Sequence, residues 1–157
     1  MLHYINLKMT GQVSFFALLF LAVISVTLAW SDCGSVVGTL SDVQVNNCPP
    51  NARRCTLRRG SNATMTISFT PKEDSDTVKA VVHGVVMGAP VPFNLPNPNG
   101  CSESGIECPV KSGNVYKYFT NMPVLTSYPR MTVDIKWELQ DSAGKNIICA
   151  MIPAKLQ

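Results

Sequence analysis

The chain has 157 residues, of which 46% are apolar and 15% charged, and its formal net charge is +3. The apolar fraction is too high for a disordered chain. The charge is too close to balance for a protein dedicated to binding nucleic acid.

The N-terminal segment has the pattern of a secretory signal peptide. Phe15–Ile24 is an uninterrupted apolar run of about ten residues, the length of a signal-peptide core and too short for a membrane span. Lys8 supplies the preceding positive charge, and the small residues that end at Ala29 predict cleavage after it. We therefore assign residues 1–29 to a signal peptide and residues 30–157 to a single soluble domain. An uncleaved anchor is the alternative, but it needs a longer apolar run.

Seven segments of the mature chain are predicted as strands, separated by turns rich in Pro, Gly, Asn and Asp. In chain order they are Val36–Val45, Ala63–Thr70, Thr77–Met87, Val91–Leu95, Val115–Thr120, Met131–Gln140 and Ile147–Ile152. Ala63–Thr70 and Met131–Gln140 alternate most cleanly, with every second side chain apolar. Asn121–Arg130 is predicted as a loop that carries apolar residues. Because no segment has a helical period, the sequence predicts an all-β fold, an immunoglobulin-like β-sandwich of about seven strands.

Six cysteines follow the signal peptide, and an even count in a secreted chain indicates disulfide bonds. Cys48–Cys55 and Cys101–Cys108 each enclose a short turn-like segment that can close locally, which leaves Cys33 and Cys149 as a pair near the two ends. A metal site is the alternative, but there is no C-x-x-C pair and only one histidine in the mature chain. Asn62 begins the sequon N-A-T and is a candidate for N-glycosylation.

One stretch, Val81–Gly100, contains no Asp, Glu, Lys or Arg. Its glycines and prolines make a continuous helix or central strand implausible, so part of this apolar segment must lie in loops. Apolar loops on a soluble protein usually mark a site where a hydrophobic molecule binds. The stretch is therefore the first candidate for a functional site.

The sequence contains none of the common catalytic motifs, so we expect a protein that is not an enzyme and that needs no cofactor or metal. His83, the one histidine of the mature chain, has no carboxylate or base beside it in the sequence. It is either an ordinary residue near a strand end or a group that gains charge as the pH falls toward about 5.

Several short motifs together resemble one known family. They are D-C-G-S at Asp32–Ser35, K-A-V-V-H-G at Lys79–Gly84, M-G-x-P-V-P-F at Met87–Phe93, G-C at Gly100–Cys101, G-I-x-C-P at Gly105–Pro109, Y-P at Tyr128–Pro129 and W-x-L-Q-D at Trp137–Asp141. In this order and spacing they resemble the Niemann-Pick type C2 sterol-transfer proteins of the lipid-recognition, or ML, family. The resemblance covers essentially the whole mature chain and includes all six cysteines.

The resemblance implies the same three disulfides and a non-covalent site for cholesterol or a related sterol between the two sheets. It implies a carrier in the extracellular space or the lysosomal lumen that passes sterol to a membrane protein. We also expect a monomer, and the basic cluster Arg53–Arg59 can attract an anionic membrane surface. The residues that match or adjoin the family's pocket are Val91, Phe93, Val124, Tyr128, Pro129 and Trp137. The residues that match its surface for a membrane acceptor are His83, Gly84, Met87 and Gly88.

The chain also departs from the family. Ala150 follows the last cysteine where some relatives have a bulky aromatic residue, which predicts a wider pocket or a different lipid. Three alternatives therefore stay open beside sterol transfer. They are an immune recognition protein that binds a glycolipid beside a basic rim formed by Arg53–Arg59, a carrier of semiochemicals or other small hydrophobic signals, and an adhesion-type sandwich with a filled core.

Overall fold

The computed structural model describes residues 29–157, and the predicted signal peptide, apart from Ala29, lies outside this range. The described chain is all β. Its strands are β1 (Ser31–Asp32), β2 (Gly38–Val45), β3 (Cys55–Leu57), β4 (Ser61–Pro71), β5 (Lys79–Val86), β6 (Ala89–Phe93), β7 (Tyr116–Val124), β8 (Thr132–Gln140) and β9 (Asn146–Leu156). Between residues 29 and 157 there is no helix long and apolar enough to cross a membrane.

The strands form two sheets. The larger sheet has the order β1-β9-β8-β5-β6, and β3 adds to it by pairing with β9. The smaller sheet has the order β2-β4-β7, and its pairs are antiparallel. All pairs of the larger sheet are antiparallel except the short parallel pairing of β3 with β9. The predicted immunoglobulin-like sandwich is confirmed.

Alternation along β4 and β8 builds the core between the sheets. Ile67 and Phe69 of β4 and Trp137 and Leu139 of β8 have no exposed surface. The ring of Tyr118, on β7, lies 6.0 Å from that of Trp137 and joins the two layers. Because successive side chains of a strand point to opposite faces, this inward set leaves mostly polar residues on the outer faces.

The structure differs from the predicted strands in several places. β3 was not predicted, and β9 continues past the predicted end at Ile152. β7 extends to Val124, so the predicted loop Asn121–Arg130 begins only after that residue. Pro123 lacks an N–H group but is tolerated because β7 is an edge strand of its sheet. Glu138, expected on the solvent face of β8, is only 6% exposed because neighbouring side chains cover it.

The three disulfides have the predicted pairing. Cys33–Cys149 ties the start of the domain to β9, and Cys101–Cys108 closes a loop between β6 and β7. Cys48–Cys55 joins the end of β2 to β3 and so links the smaller sheet to the larger one. All six cysteines lie in the described residues, and none of them is free.

Candidate ligand-binding site

A cavity of about 260 Å³ lies between the sheets at the end where the β5–β6 hairpin meets the segment after β7. Its walls are apolar apart from His83 and the Tyr128 hydroxyl. The residues that line it are Leu57, Val82, His83, Gly84, Val86, Val91, Pro92, Phe93, Met122, Pro123, Val124, Tyr128, Pro129, Met131, Val133, Ile135 and Leu156. A hollow of about 420 Å³ beside Trp30 and the end of β2 includes none of the predicted ligand or transfer residues.

Five of the six predicted ligand residues line this cavity, although they come from β6, β7 and the segment after β7. They are Val91, Phe93, Val124, Tyr128 and Pro129. Trp137 does not line it and lies one layer deeper. It borders a separate void of about 20 Å³, and Leu57, Met122 and Ile135 separate that void from the larger cavity. The role of each residue toward a ligand stays a prediction.

Two aromatic rings meet across the mouth of the cavity. Phe93 belongs to the edge strand β6 of the larger sheet, and Tyr128 belongs to the segment that follows β7 of the smaller sheet. Their ring centres are 6.3 Å apart and their planes meet at 77°, an edge-to-face contact. Both side chains are half-buried. This pair of rings is therefore one of the contacts that join the two layers at the mouth.

The four predicted transfer-surface residues lie in one hairpin. His83 and Gly84 are in β5 and line the cavity, whereas Met87 and Gly88 form the two-residue turn to β6. Both turn residues have left-handed backbone, with φ of 52° at Met87 and 83° at Gly88. Such turns match the twist of a hairpin but usually have Asn or Gly at the first position. A fully exposed methionine at this tip is unfavourable both for its backbone and for its hydration.

His83 contacts a buried carboxylate. Its Nδ1 is buried without a hydrogen-bond partner among the described residues and lies 3.7 Å from Glu138 Oε2. Glu138 Oε1 accepts hydrogen bonds from Lys136 Nζ at 2.9 Å and from Asn146 Nδ2 at 2.8 Å. Burial raises the pKa of Glu138, but these hydrogen bonds and the charge of Lys136 outweigh it and hold the pKa below its ordinary value. This pair could not be predicted, because His83 and Glu138 are 55 residues apart in the chain and meet only through the pairing of β5 with β8.

Two of the four arginines in the basic cluster Arg53–Arg59 are engaged in internal hydrogen bonds, and Arg53 and Arg58 are exposed. Arg54 donates to Asp134 at 3.0 Å, and Arg59 donates to two backbone carbonyls. Asn62, the sequon residue, is exposed in β4 next to its first residue. Within residues 29–157 no group of three or more His, Cys, Asp or Glu side chains could hold a metal ion.

Sequence reasoning missed much of the cavity wall. Leu57 lies in β3, Met122 lies in a segment predicted as loop, and Leu156 lies beyond the predicted end of the last strand. Ile135 could have been predicted as a cavity residue, because it lies on the same apolar face of β8 as Trp137. The others show no pattern of their own, since they reach the cavity through pairing with distant strands.

An apolar cavity walled by both sheets and closed by an aromatic pair defines a ligand-binding β-sandwich. Residues 27–156 match the family model described as ML domain. The chain is 44% identical to the ecdysteroid-regulated 16 kDa protein of Manduca sexta, over 81% of this chain and 87% of that protein. It is 43% identical to the NPC intracellular cholesterol transporter 2 homolog a of Drosophila melanogaster, over 87% of this chain and 93% of that protein.

A solved structure agrees with these relatives. The fold matches the crystal structure of a Niemann-Pick type C2 protein from the Japanese carpenter ant with a TM-score of 0.79 and 34% identity. That match covers 82% of this chain and 98% of the ant chain. The chain belongs to the ML domain family, and the resemblance found in its motifs is confirmed.

Proposed function

We propose that the mature chain binds one sterol, cholesterol or a close relative, between its sheets and delivers it to a membrane without catalysing a reaction. The observation that carries the proposal is the apolar cavity of about 260 Å³ with its mouth at Phe93 and Tyr128. Fused apolar rings suit such walls, and the Tyr128 hydroxyl offers a polar partner near the mouth for the single hydroxyl of a sterol. Relatives named as cholesterol transporters support this ligand class.

The walls supply enough free energy without any charged contact. A sterol buries a few hundred Å² of apolar surface, and at about 25 cal/mol per Å² the gross gain is several kcal/mol before the entropy of binding is subtracted. The cavity is slightly smaller than the roughly 300–1,000 Å³ of ordinary ligand pockets. Met122 separates it from the inner void, and its flexible side chain can move to join the two spaces.

The hairpin tip and its surroundings form the proposed delivery surface. Met87 is fully exposed, Val91 is 54% exposed, and Leu125 lies in the segment that carries Tyr128. These apolar side chains surround the mouth on both sheets, so insertion into a lipid surface or contact with a membrane acceptor would bring the mouth to the acceptor. The absence of charged side chains in Val81–Gly100 fits this step, because an ion there would lose hydration on each contact.

Titration of the mature protein with dehydroergosterol, a fluorescent sterol, tests the function directly. We expect saturable binding of one sterol per chain at about pH 5 or about pH 7. Competition with cholesterol, a fatty acid and a glycolipid then separates the sterol carrier from the carrier of other hydrophobic ligands and from the immune-recognition alternative. If sterol does not bind saturably at either pH, the proposal is wrong.

A variant with a charged hairpin tip tests delivery separately from binding. Met87→Asp should slow sterol transfer to phosphatidylcholine–phosphatidylserine vesicles by about tenfold and leave the dissociation constant within about twofold, because the tip does not line the cavity. Val36→Asp is the matched control, because Val36 is also an exposed apolar residue, with 62% of its surface accessible. It lies far from the tip, since its N–H donates a hydrogen bond to Asn146 O at the opposite end of the larger sheet. If Met87→Asp weakened sterol binding as much as it slowed transfer, Met87 would belong to the binding site and not to a separate delivery surface.

The proposed compartment is the extracellular space or the lysosomal lumen. Three disulfides in a domain of this size support an oxidising route of folding. The exposed Asn62 supports attachment of an N-glycan on the same route, which a shift in mass after glycosidase treatment would reveal. The engagement of Arg54 and Arg59 in internal hydrogen bonds weighs against a basic rim for glycolipid headgroups.

A further inference from the structure

The segment 125–130 brings Tyr128 and Pro129 to the cavity mouth but has few attachments of its own. It joins β7 to β8 without strand structure, and one internal hydrogen bond, from Tyr128 N–H to Leu125 O at 3.2 Å, shapes its turn. Among the described residues, the hydrogen bonds that tie this segment to the rest of the domain both come from Arg59. Its Nη1 donates to Thr126 O at 3.0 Å and to Tyr128 O at 2.9 Å.

Arg59 is itself held at the junction of the two sheets. Its N–H donates to Gln157 O at 3.0 Å, just beyond β9 of the larger sheet. The next residue, Gly60, donates its N–H to Val124 O, at the end of β7 in the smaller sheet. Gly60 has φ of 76°, and a Cβ there would lie 3.1 Å from Thr126 Cγ2, so the backbone of this turn packs closely on the same segment.

The guanidinium suits this task better than an ammonium group would. One planar nitrogen offers two N–H groups at a fixed angle, and each of them meets one carbonyl of the segment. The Nε atom is buried and has no partner among the described residues, so the two bonds of Nη1 form although part of the guanidinium is left unsatisfied. Arg59 does not line the cavity, and its effect on a ligand must therefore pass through the segment it holds.

We propose that Arg59 is the positioning residue of the cavity mouth: it fixes the backbone of Tyr128, and with it the Phe93–Tyr128 contact, and so limits how fast a ligand enters and leaves. The proposal rests on the proposed function, since it assigns a step of ligand exchange to one residue. It follows from geometry that the ring of Tyr128 can leave Phe93 without any movement of the sheets once segment 125–130 is released.

Stopped-flow exchange of dehydroergosterol tests the proposal with three variants. In Arg59→Met we expect association and dissociation both to become roughly tenfold faster, because two hydrogen bonds from a charged group are lost, while the dissociation constant changes less than about threefold. Arg59→Lys keeps the charge and one possible bond and should recover part of the slow exchange. Arg58→Met removes the same charge from the neighbouring exposed residue and should exchange like the wild type.

Hydrogen exchange of the ligand-free proteins gives a second measurement that does not depend on sterol. Amides of 125–131, including that of Tyr128, should exchange faster in Arg59→Met and at the wild-type rate in Arg58→Met. If the wild type binds no sterol, the proposed function fails, but this measurement still tests whether Arg59 holds the segment. Unchanged amide exchange, or faster amide exchange with unchanged sterol kinetics, would overturn the proposal. If Arg59→Met does not fold, Arg59→Lys alone decides. Sterol exchange and amide exchange faster than in the wild type would support the proposal, and wild-type rates of both would overturn it.

Discussion

Replacing Phe93 by alanine is the most direct test of the cavity mouth. The substitution removes one of the two rings in edge-to-face contact and one wall of the cavity. If the ring covers about 60–80 Å² of a bound sterol, the loss at about 25 cal/mol per Å² is about 1.5–2 kcal/mol, and binding weakens roughly 10- to 30-fold. Because Phe93 is only half-buried, its removal costs the fold less than the ~3–5 kcal/mol of a fully buried phenylalanine.

Phe119→Ala is the matched control, because Phe119 is a 45% exposed ring on β7 that does not line this cavity. Titration with dehydroergosterol gives the dissociation constant of each variant, and thermal unfolding monitored by circular dichroism shows whether the domain remains folded. We expect Phe93→Ala to weaken binding at least fivefold more than Phe119→Ala does. Equal constants for the two folded variants would show that the ligand does not contact the Phe93 ring, and the mouth would then have to lie elsewhere.

Two further predictions concern stability. Because the pKa of Glu138 is lower in the folded than in the unfolded chain, its ionised form stabilises the fold above the ordinary value of 4.5, and this contribution is lost as the pH falls through the lowered folded pKa. Glu138→Gln should therefore lower the Tm at neutral pH and flatten its acid decline, and thermal scans from pH 7 to about pH 3 that parallel the wild type would contradict this. Replacing both Cys33 and Cys149 by serine should lower the free energy of unfolding in urea by about 2–5 kcal/mol. Replacing Cys101 and Cys108 by serine should lower the free energy of unfolding by less, because that disulfide closes a loop of 7 residues and Cys33–Cys149 closes one of 116. Equal losses in the two double variants would contradict this loop-entropy argument.

Local pattern was enough to predict most of the sandwich. In β4 one face is buried against the core and the other is partly exposed, so the alternation of side chains is visible in the sequence. β8 shows the same alternation of apolar and polar residues, although its outer-face Glu138 is buried. β3 escaped prediction because three residues are too few to show a period, and because its parallel partner β9 is almost 100 residues away in the chain. The predicted end of this strand at Thr120 was wrong. Pro123 is typical of a loop, but an edge strand such as β7 can accept a proline.

The residues of the candidate site differ in the same way: some have a local signal in the sequence, and others are placed only by contacts with distant residues. Val91 and Phe93 could be found because they lie in an uncharged stretch of 20 residues, a feature of the sequence itself. Arg59 could not, because it sits in a polar turn and its hydrogen-bond acceptors are 67 and 69 residues further along the chain. Glu138 belongs by pattern to the solvent face of β8, and its contacts with His83, Lys136 and Asn146 are visible only in the structure.

The two ends of the cavity differ in how firmly the sheets are joined, and this difference indicates where a ligand can enter while the core stays buried. The deep layer around Trp137 and Tyr118 is fully buried and connects the two sheets, so separating the sheets there would expose the largest buried side chains. At the mouth, by contrast, the layers meet through Phe93 on an edge strand and Tyr128 on a segment outside any strand. Opening at this place breaks the Phe93–Tyr128 ring contact and the two hydrogen bonds from Arg59, and it leaves the strand pairing of both sheets intact. The least costly route for a ligand therefore runs between the β5–β6 hairpin, which forms one wall of the cavity, and segment 125–130.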